Sequence, residues 1–287
     1  YKVGDQKTLT IHQKTSSTEA DVTEVVQEET LEATLRVDRE DEDAFYITMN
    51  YPDVVFDAAK RAYEKLGKEL DEGRTLVLRL KTSKTTGETE IINLNEARSF
   101  VTDGIDQIKD LLPDDQRAFS DMIFKPIESI FENDEVAQEY FNNTALFFES
   151  IYNYAFTPEV AAIRKDSAAN PFDPSQILKV EYTQTLTQLD ASTGLATVRS
   201  EGEMDMSMFK DMMKKMMEGM FASLDEEQKE KALKEIESID MTMVYRENIQ
   251  YNYKTGWPTT VTRTADSNIT APGKQAKTQS LVTVTFK

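Results

Sequence analysis

The sequence has no cysteine and a single histidine, His12, in 287 residues. Disulfide scaffolds, thiol nucleophiles, zinc fingers and iron–sulfur clusters are therefore excluded, since each needs thiolates or several imidazoles. A Ser-His-Asp triad would have to use His12, which lies in an alternating run from Thr8 to Thr15, and no serine stands in a G-x-S-x-G elbow. Long hydrophobic runs are absent as well. No stretch approaches the roughly 20 apolar residues that a membrane-spanning helix needs. Positive charge is scarce: 33 Lys and Arg face 52 Asp and Glu, a formal net charge of -19. Such a surface repels phosphate, which argues against nucleic acid and anionic membranes as partners.

Apolar residues are well supplied at 39%, which argues against global disorder. The length suits one large domain or two small ones. Zero cysteine is unusual in a cytosolic protein and ordinary in a bacterial envelope. The chain starts at Tyr1 rather than Met, which reads as a mature segment whose export signal was removed, and a chain trimmed at that point would look the same.

Strand patterns dominate both ends. Lys7 to Ser16 alternates, with Leu9 and Ile11 on one side and Thr8, Thr10 and His12 on the other. Val25–Val37, Phe45–Tyr51, Arg74–Thr82 and Glu88–Leu94 follow. The acidic run from Asp38 to Asp43 reads as a solvated hairpin loop, because it lacks the Gly and distal Glu of an EF-hand. Later strands are expected at Ile177–Leu189, Leu195–Met206, Asp240–Tyr253, Pro258–Ala265 and Lys277–Phe286. Helical spacing predicts a helix opened by Pro52 and Asp53, another capped by Asn95, a helical stretch over 113–154 and a last one over 208–236. Residues 157–175, with Pro158, Pro171 and Pro174, read as a linker. Three turns end alike: Lys84-Thr85-Thr86-Gly87, Ala191-Ser192-Thr193-Gly194 and Tyr253-Lys254-Thr255-Gly256. Gly supplies the positive φ of a tight turn, and chance recurrence competes with an internal repeat.

These patterns predict an α+β fold with long curled antiparallel sheet covered by helices. Two related β-rich halves, 1–112 and 174–287, flank a helical insertion and linker at 113–173, the whole forming one structural unit.

The stretch Tyr253-Lys254-Thr255-Gly256-Trp257-Pro258, between a long strand and a Thr-rich one, resembles uncharacterised exported lipoproteins of Gram-negative envelopes. So does the opening Tyr1-Lys2-Val3-Gly4-Asp5. The general plan is similar to the lipoprotein-carrier (LolA-like) half-barrel, over the two β halves and not over 113–173. The resemblance implies a periplasmic or envelope location, with a lipid anchor upstream of Tyr1 as the only membrane attachment. It brings no catalytic residue and no cofactor.

Ten of the twelve methionines lie between Met204 and Met243. Met208 to Phe221 places apolar pairs every four residues, so one helical face is almost all Met. Core packing, an adaptable apolar surface and Cu(I) ligation compete as explanations. Seven aromatics fall within 140–156. Met212, Met216, Met220, Phe147, Phe148 and Tyr152 are the candidate ligand-binding residues. The functional expectation is a non-enzymatic envelope protein enclosing a lipid or other apolar ligand, without metal or cofactor. A solid-cored interaction module is the alternative, and a carboxylate-only hydrolase the third reading.

Overall fold

A computed structural model describes residues 1–19, 22–52, 75–111, 124–125, 128–145, 156–158, 160–169, 177–204, 230, 233–234, 236–271 and 274–287. The alternating segments all become strands. In the first half these are β1 (Gln6–Glu19), β2 (Val22–Glu40), β3 (Ala44–Pro52), β4 (Thr75–Ser83) and β5 (Thr89–Ile91). The second half holds β6 (Ala161–Ala169), β7 (Ile177–Asp190), β8 (Leu195–Met204), β9 (Asp240–Asn252), β10 (Trp257–Ala271) and β11 (Lys274–Phe286). Among the described residues two helices lie between them, α1 (Leu94–Leu111) and α2 (Asp134–Ala145).

All eleven strands form one antiparallel sheet in the order β5-β4-β3-β2-β1-β11-β10-β9-β8-β7-β6. Each half is a meander, and the first strand pairs with the last to join them. The expected α+β class is therefore wrong: the chain is mainly β, and among the described residues helices form no covering layer. The reason is partly local. Of the helical stretch over 113–154, the longest described helix is α2, at 12 residues. The proposed linker contains β6, whose sequence AAIRKDSAA carries no period-two signal.

The sheet curls, and α2 shows how far. In a flat sheet the ten steps from β5 to β6, at about 4.8 Å each, would separate the edges by about 48 Å. A helix of 12 residues spans only about 18 Å. Yet α2 contacts both β5 and β6. Register breaks consistent with bulges at Thr15/Ser16, Val37/Arg39, Leu186/Gln188 and Pro258/Thr260 increase the local twist that permits this. The curl lets the sheet bury its own inner face. Leu9, Leu35, Met49 and Leu80 from the first half share one buried cluster with Ile249 and Val261 from the second.

The edge at β5 is sealed by side chains rather than by another strand. Gln138 of α2 accepts the Ile91 backbone N–H at 3.2 Å. Beyond the short β5, Asn93 accepts from the Arg79 N–H and donates to the Val77 carbonyl, both at 2.8 Å. Asn93 also precedes α1, its carbonyl accepting the Ala97 N–H. The expected cap, Asn95, lies inside the helix instead. At the base of the curl, near both chain ends, the Tyr1 ring lies 4.3 Å from Trp257, and Asp5 accepts the indole N–H at 2.9 Å. That bond lowers the Asp5 pKa.

The three Thr-Gly turns are one structure built three times. Gly87, Gly194 and Gly256 all sit at φ 76°. Each donates its N–H to the carbonyl four residues back, on Ser83, Asp190 and Asn252. The side chain at that first position accepts the next two free N–H groups, at 2.8–3.4 Å. Ser, Asp and Asn are interchangeable there because each offers an oxygen at the right reach. The acidic run behaves differently from expectation: β2 continues through Glu40, and the turn is Asp41-Glu42-Asp43. Asp41 accepts the Asp43 and Ala44 N–H groups and the Tyr46 hydroxyl. The helix predicted after Pro52 lies outside the described residues, as does most of the one over 208–236.

The Ser192 and Thr193 hydroxyls and backbone N–H groups hold the Asp190 carboxyl down to about 2 from its ordinary 3.8. A folded value below the unfolded one stabilises above about pH 4, and the gain is lost as pH falls towards 2. Asp190→Asn, which copies the Asn252 turn, is expected to flatten stability between pH 4 and pH 2, measured by urea unfolding. Gly256→Ala, with open space around the new Cβ, isolates the backbone term and should cost about 1 kcal/mol.

Candidate ligand-binding face

Alternation decides what each strand places on the inner face. Along β8, Ala196, Val198, Ser200 and Gly202 are buried, while Arg199, Glu201 and Glu203 face out. The inner face is thus apolar near the base and changes character towards the rim, where the β1–β2 and β10–β11 hairpins end.

The first row beyond the apolar core is polar. Register aligns Gln184, Ser200, Glu247 and Arg263 across β7, β8, β9 and β10. Arg263 donates to Glu247 Oε1 through Nε at 3.0 Å and Nη2 at 2.7 Å. The carboxylate is 8% exposed and the guanidinium 34%, so the pair is half sheltered from water. Gln184 is wholly buried. Its Nε2 donates to Ser200 Oγ at 3.1 Å, and its Oε1 has no hydrogen-bond partner. A buried acceptor left in that state costs roughly 1–3 kcal/mol.

The next row rimwards aligns Tyr182, Gly202, Tyr245 and Ala265. Gly202 is there because the Tyr182 ring crosses it. A Cβ at 202 would stand 2.7 Å from Tyr182 Cδ1 and 3.0 Å from the Glu181 carbonyl. The Tyr245 hydroxyl donates to Met243 Sδ at 3.2 Å, and burial raises its pKa, which keeps the phenol a donor through the neutral range. One row further, Met243 lies opposite Met204, and Met241 beyond it is buried.

Passing from base to rim, the inner wall is aliphatic, then polar and paired, then tyrosine with methionine. Glu247 is the one buried acid among the described residues, and Arg263 occupies it. Among those residues no group of three metal-ligating side chains converges.

The residues singled out from sequence, Met212, Met216, Met220, Phe147, Phe148 and Tyr152, lie outside the described residues. The polar row was not anticipated, although a signal exists. Leu178, Val180 and Tyr182 set a parity whose next position is Gln184, a polar residue where the alternation calls for an apolar one.

Removing one member of the ion pair strands the other. Arg263→Met is expected to lower stability by about 2–3 kcal/mol, below the range for fully buried pairs because Arg263 keeps some water. Adding Glu247→Leu should restore most of the loss in chemical denaturation. Gly202→Ala should cost about 1–3 kcal/mol through overpacking. In combination with Tyr182→Ala that penalty should shrink to what the Glu181 carbonyl imposes, and strict additivity in the double-mutant cycle would refute the ring contact.

No protein-family model matches this sequence, and no curated protein proves similar to it.

Proposed function

We propose that the protein is a non-enzymatic envelope protein that holds a lipid or another apolar ligand inside the curl of its sheet. One observation carries the reading: a single 12-residue helix contacts both edge strands of an eleven-stranded sheet, so the sheet wraps around an interior. The wall of that interior supports it further. Its rim offers tyrosines and methionines, the latter able to repack around varied apolar shapes. The half-barrel resemblance of the sequence supports the same reading. It also supports export to the periplasm or envelope. The net charge of -19 disfavours nucleic acid and anionic bilayers as partners.

A solid-cored interaction module is the second reading. Leu9, Ile11, Leu35 and Ile249, all at 0% exposure, favour it, since the base is filled by the protein's own side chains. The two readings separate at the rimward part of the curl. Native mass spectrometry of the full chain is expected to show a retained apolar mass. A fluorescent fatty acid should bind, and Ala265→Trp, which enlarges the inner wall beside Tyr245, should weaken it about tenfold. Ile163→Trp, on a strand position 65% exposed, should not. Absence of both a retained mass and probe binding would establish the solid core.

A further inference from the structure

We infer that the interior recognises a neutral hydrogen-bond donor on its ligand, an amide N–H or a hydroxyl next to an acyl chain, and that Gln184 Oε1 is the acceptor. This rests on the ligand-holding reading above. Three buried side-chain polar atoms among the described residues have no hydrogen-bond partner: Thr10 Oγ1, Arg98 Nε and Gln184 Oε1. Thr10 alternates with the inward Leu9 and Ile11, so it stands on the convex face. Arg98 is engaged by Asp134 through Nη2. Gln184 alone lies on the inner wall, at 0% exposure, with its amide fixed by the bond to Ser200.

The position also favours a donor of no charge. An ammonium would lose its hydration against a neutral carbonyl that cannot replace it. The nearest carboxylate in the row, Glu247, is already bridged by Arg263. A fatty-acid carboxylate brings no donor at all. The polar row stands between the aliphatic base and the Tyr and Met rows. An acyl chain can therefore lie on its rimward side, along the Tyr and Met rows, with the amide or hydroxyl level with Gln184. Gln184 is thereby a specificity-determining residue, and the tyrosine and methionine rows give affinity without chemical discrimination.

The test uses the full chain and three dansyl-labelled acyl probes of one chain length. One is a secondary amide, one its N-methyl tertiary amide, and one carries a hydroxyl beside an ester. Wild type is expected to bind the secondary amide or the hydroxyl probe about tenfold more tightly than the N-methyl amide, the factor given by about 1.4 kcal/mol. Whichever donor is preferred identifies the head group. Gln184→Met, close in size and without the acceptor, should abolish the preference while keeping the N-methyl amide affinity. Equal binding of all three probes by wild type overturns this inference and leaves the carrier reading standing. Failure of every probe to bind overturns both. Should Gln184→Met not fold, the wild-type preference still decides the matter. A preference that survives in a folded Gln184→Met also refutes the role of Gln184.

Discussion

β1 and β11 meet along an unbroken ladder from Leu9 opposite Phe286 to Glu19 opposite Ala276. Every other strand pair joins segments that are neighbours in the order of the chain. Without this one ladder the molecule would be two meanders with exposed edges. With it, the base row of aliphatic residues becomes continuous across both halves, and the polar row can extend from a shared core. The same ladder forces the chain between β5 and β6 to travel from one edge of the sheet to the other. Its helix α2 makes that crossing useful by touching both edges. Such long-range pairing carries a large loop-closure cost, so folding is expected to wait on it.

The inner face is legible as a sequence of rows because register is fixed where one face is buried. A slip of one residue would exchange Leu9 and Ile11 for Thr8 and Thr10 and turn every apolar side chain outward. Trp257 and the three matched turns reinforce that setting. Each turn fixes the loop length and therefore the pairing of the strands beside it. The turn at Gly194 and the turn at Gly256 also touch, since Tyr253 N–H donates to the Gly194 carbonyl. Register in β8, β9 and β10 is thus set at one end by turns and along the wall by the Arg263–Glu247 and Gln184–Ser200 bonds.

Much of this was readable from local pattern. The burial of Leu9 and Ile11, the long strands after Pro174 and the three turns follow from alternation and from Gly at positive φ. What was not readable was non-local. Nothing in AAIRKDSAA announces a strand, because β6 is defined by the register of β7 and not by its own periodicity. The curl depends on where two distant edges end. Asn93 outcompetes Asn95 as the residue before α1 because its side chain is already committed to β4. The expected covering layer of helices rested on apolar spacing that fits a helix locally, whereas the single sheet is made by the β1–β11 pairing, which no local window shows. The polar row escaped notice for the opposite reason: Gln184, Ser200 and Glu247 look like ordinary solvent-facing residues until the parity of their strands is known.

The ladder of β1 and β11 has a mechanical consequence. Thr8 and Lys287 exchange two backbone hydrogen bonds at the base, N–H to carbonyl in both directions. From this point both strands extend towards the rim, in opposite chain directions. Tension applied between residues 8 and 287 would therefore load the rungs one at a time rather than together. The sheet would peel open like a zipper at low force, from Leu9 and Phe286 outward, although the same ladder is what holds the two halves together at rest.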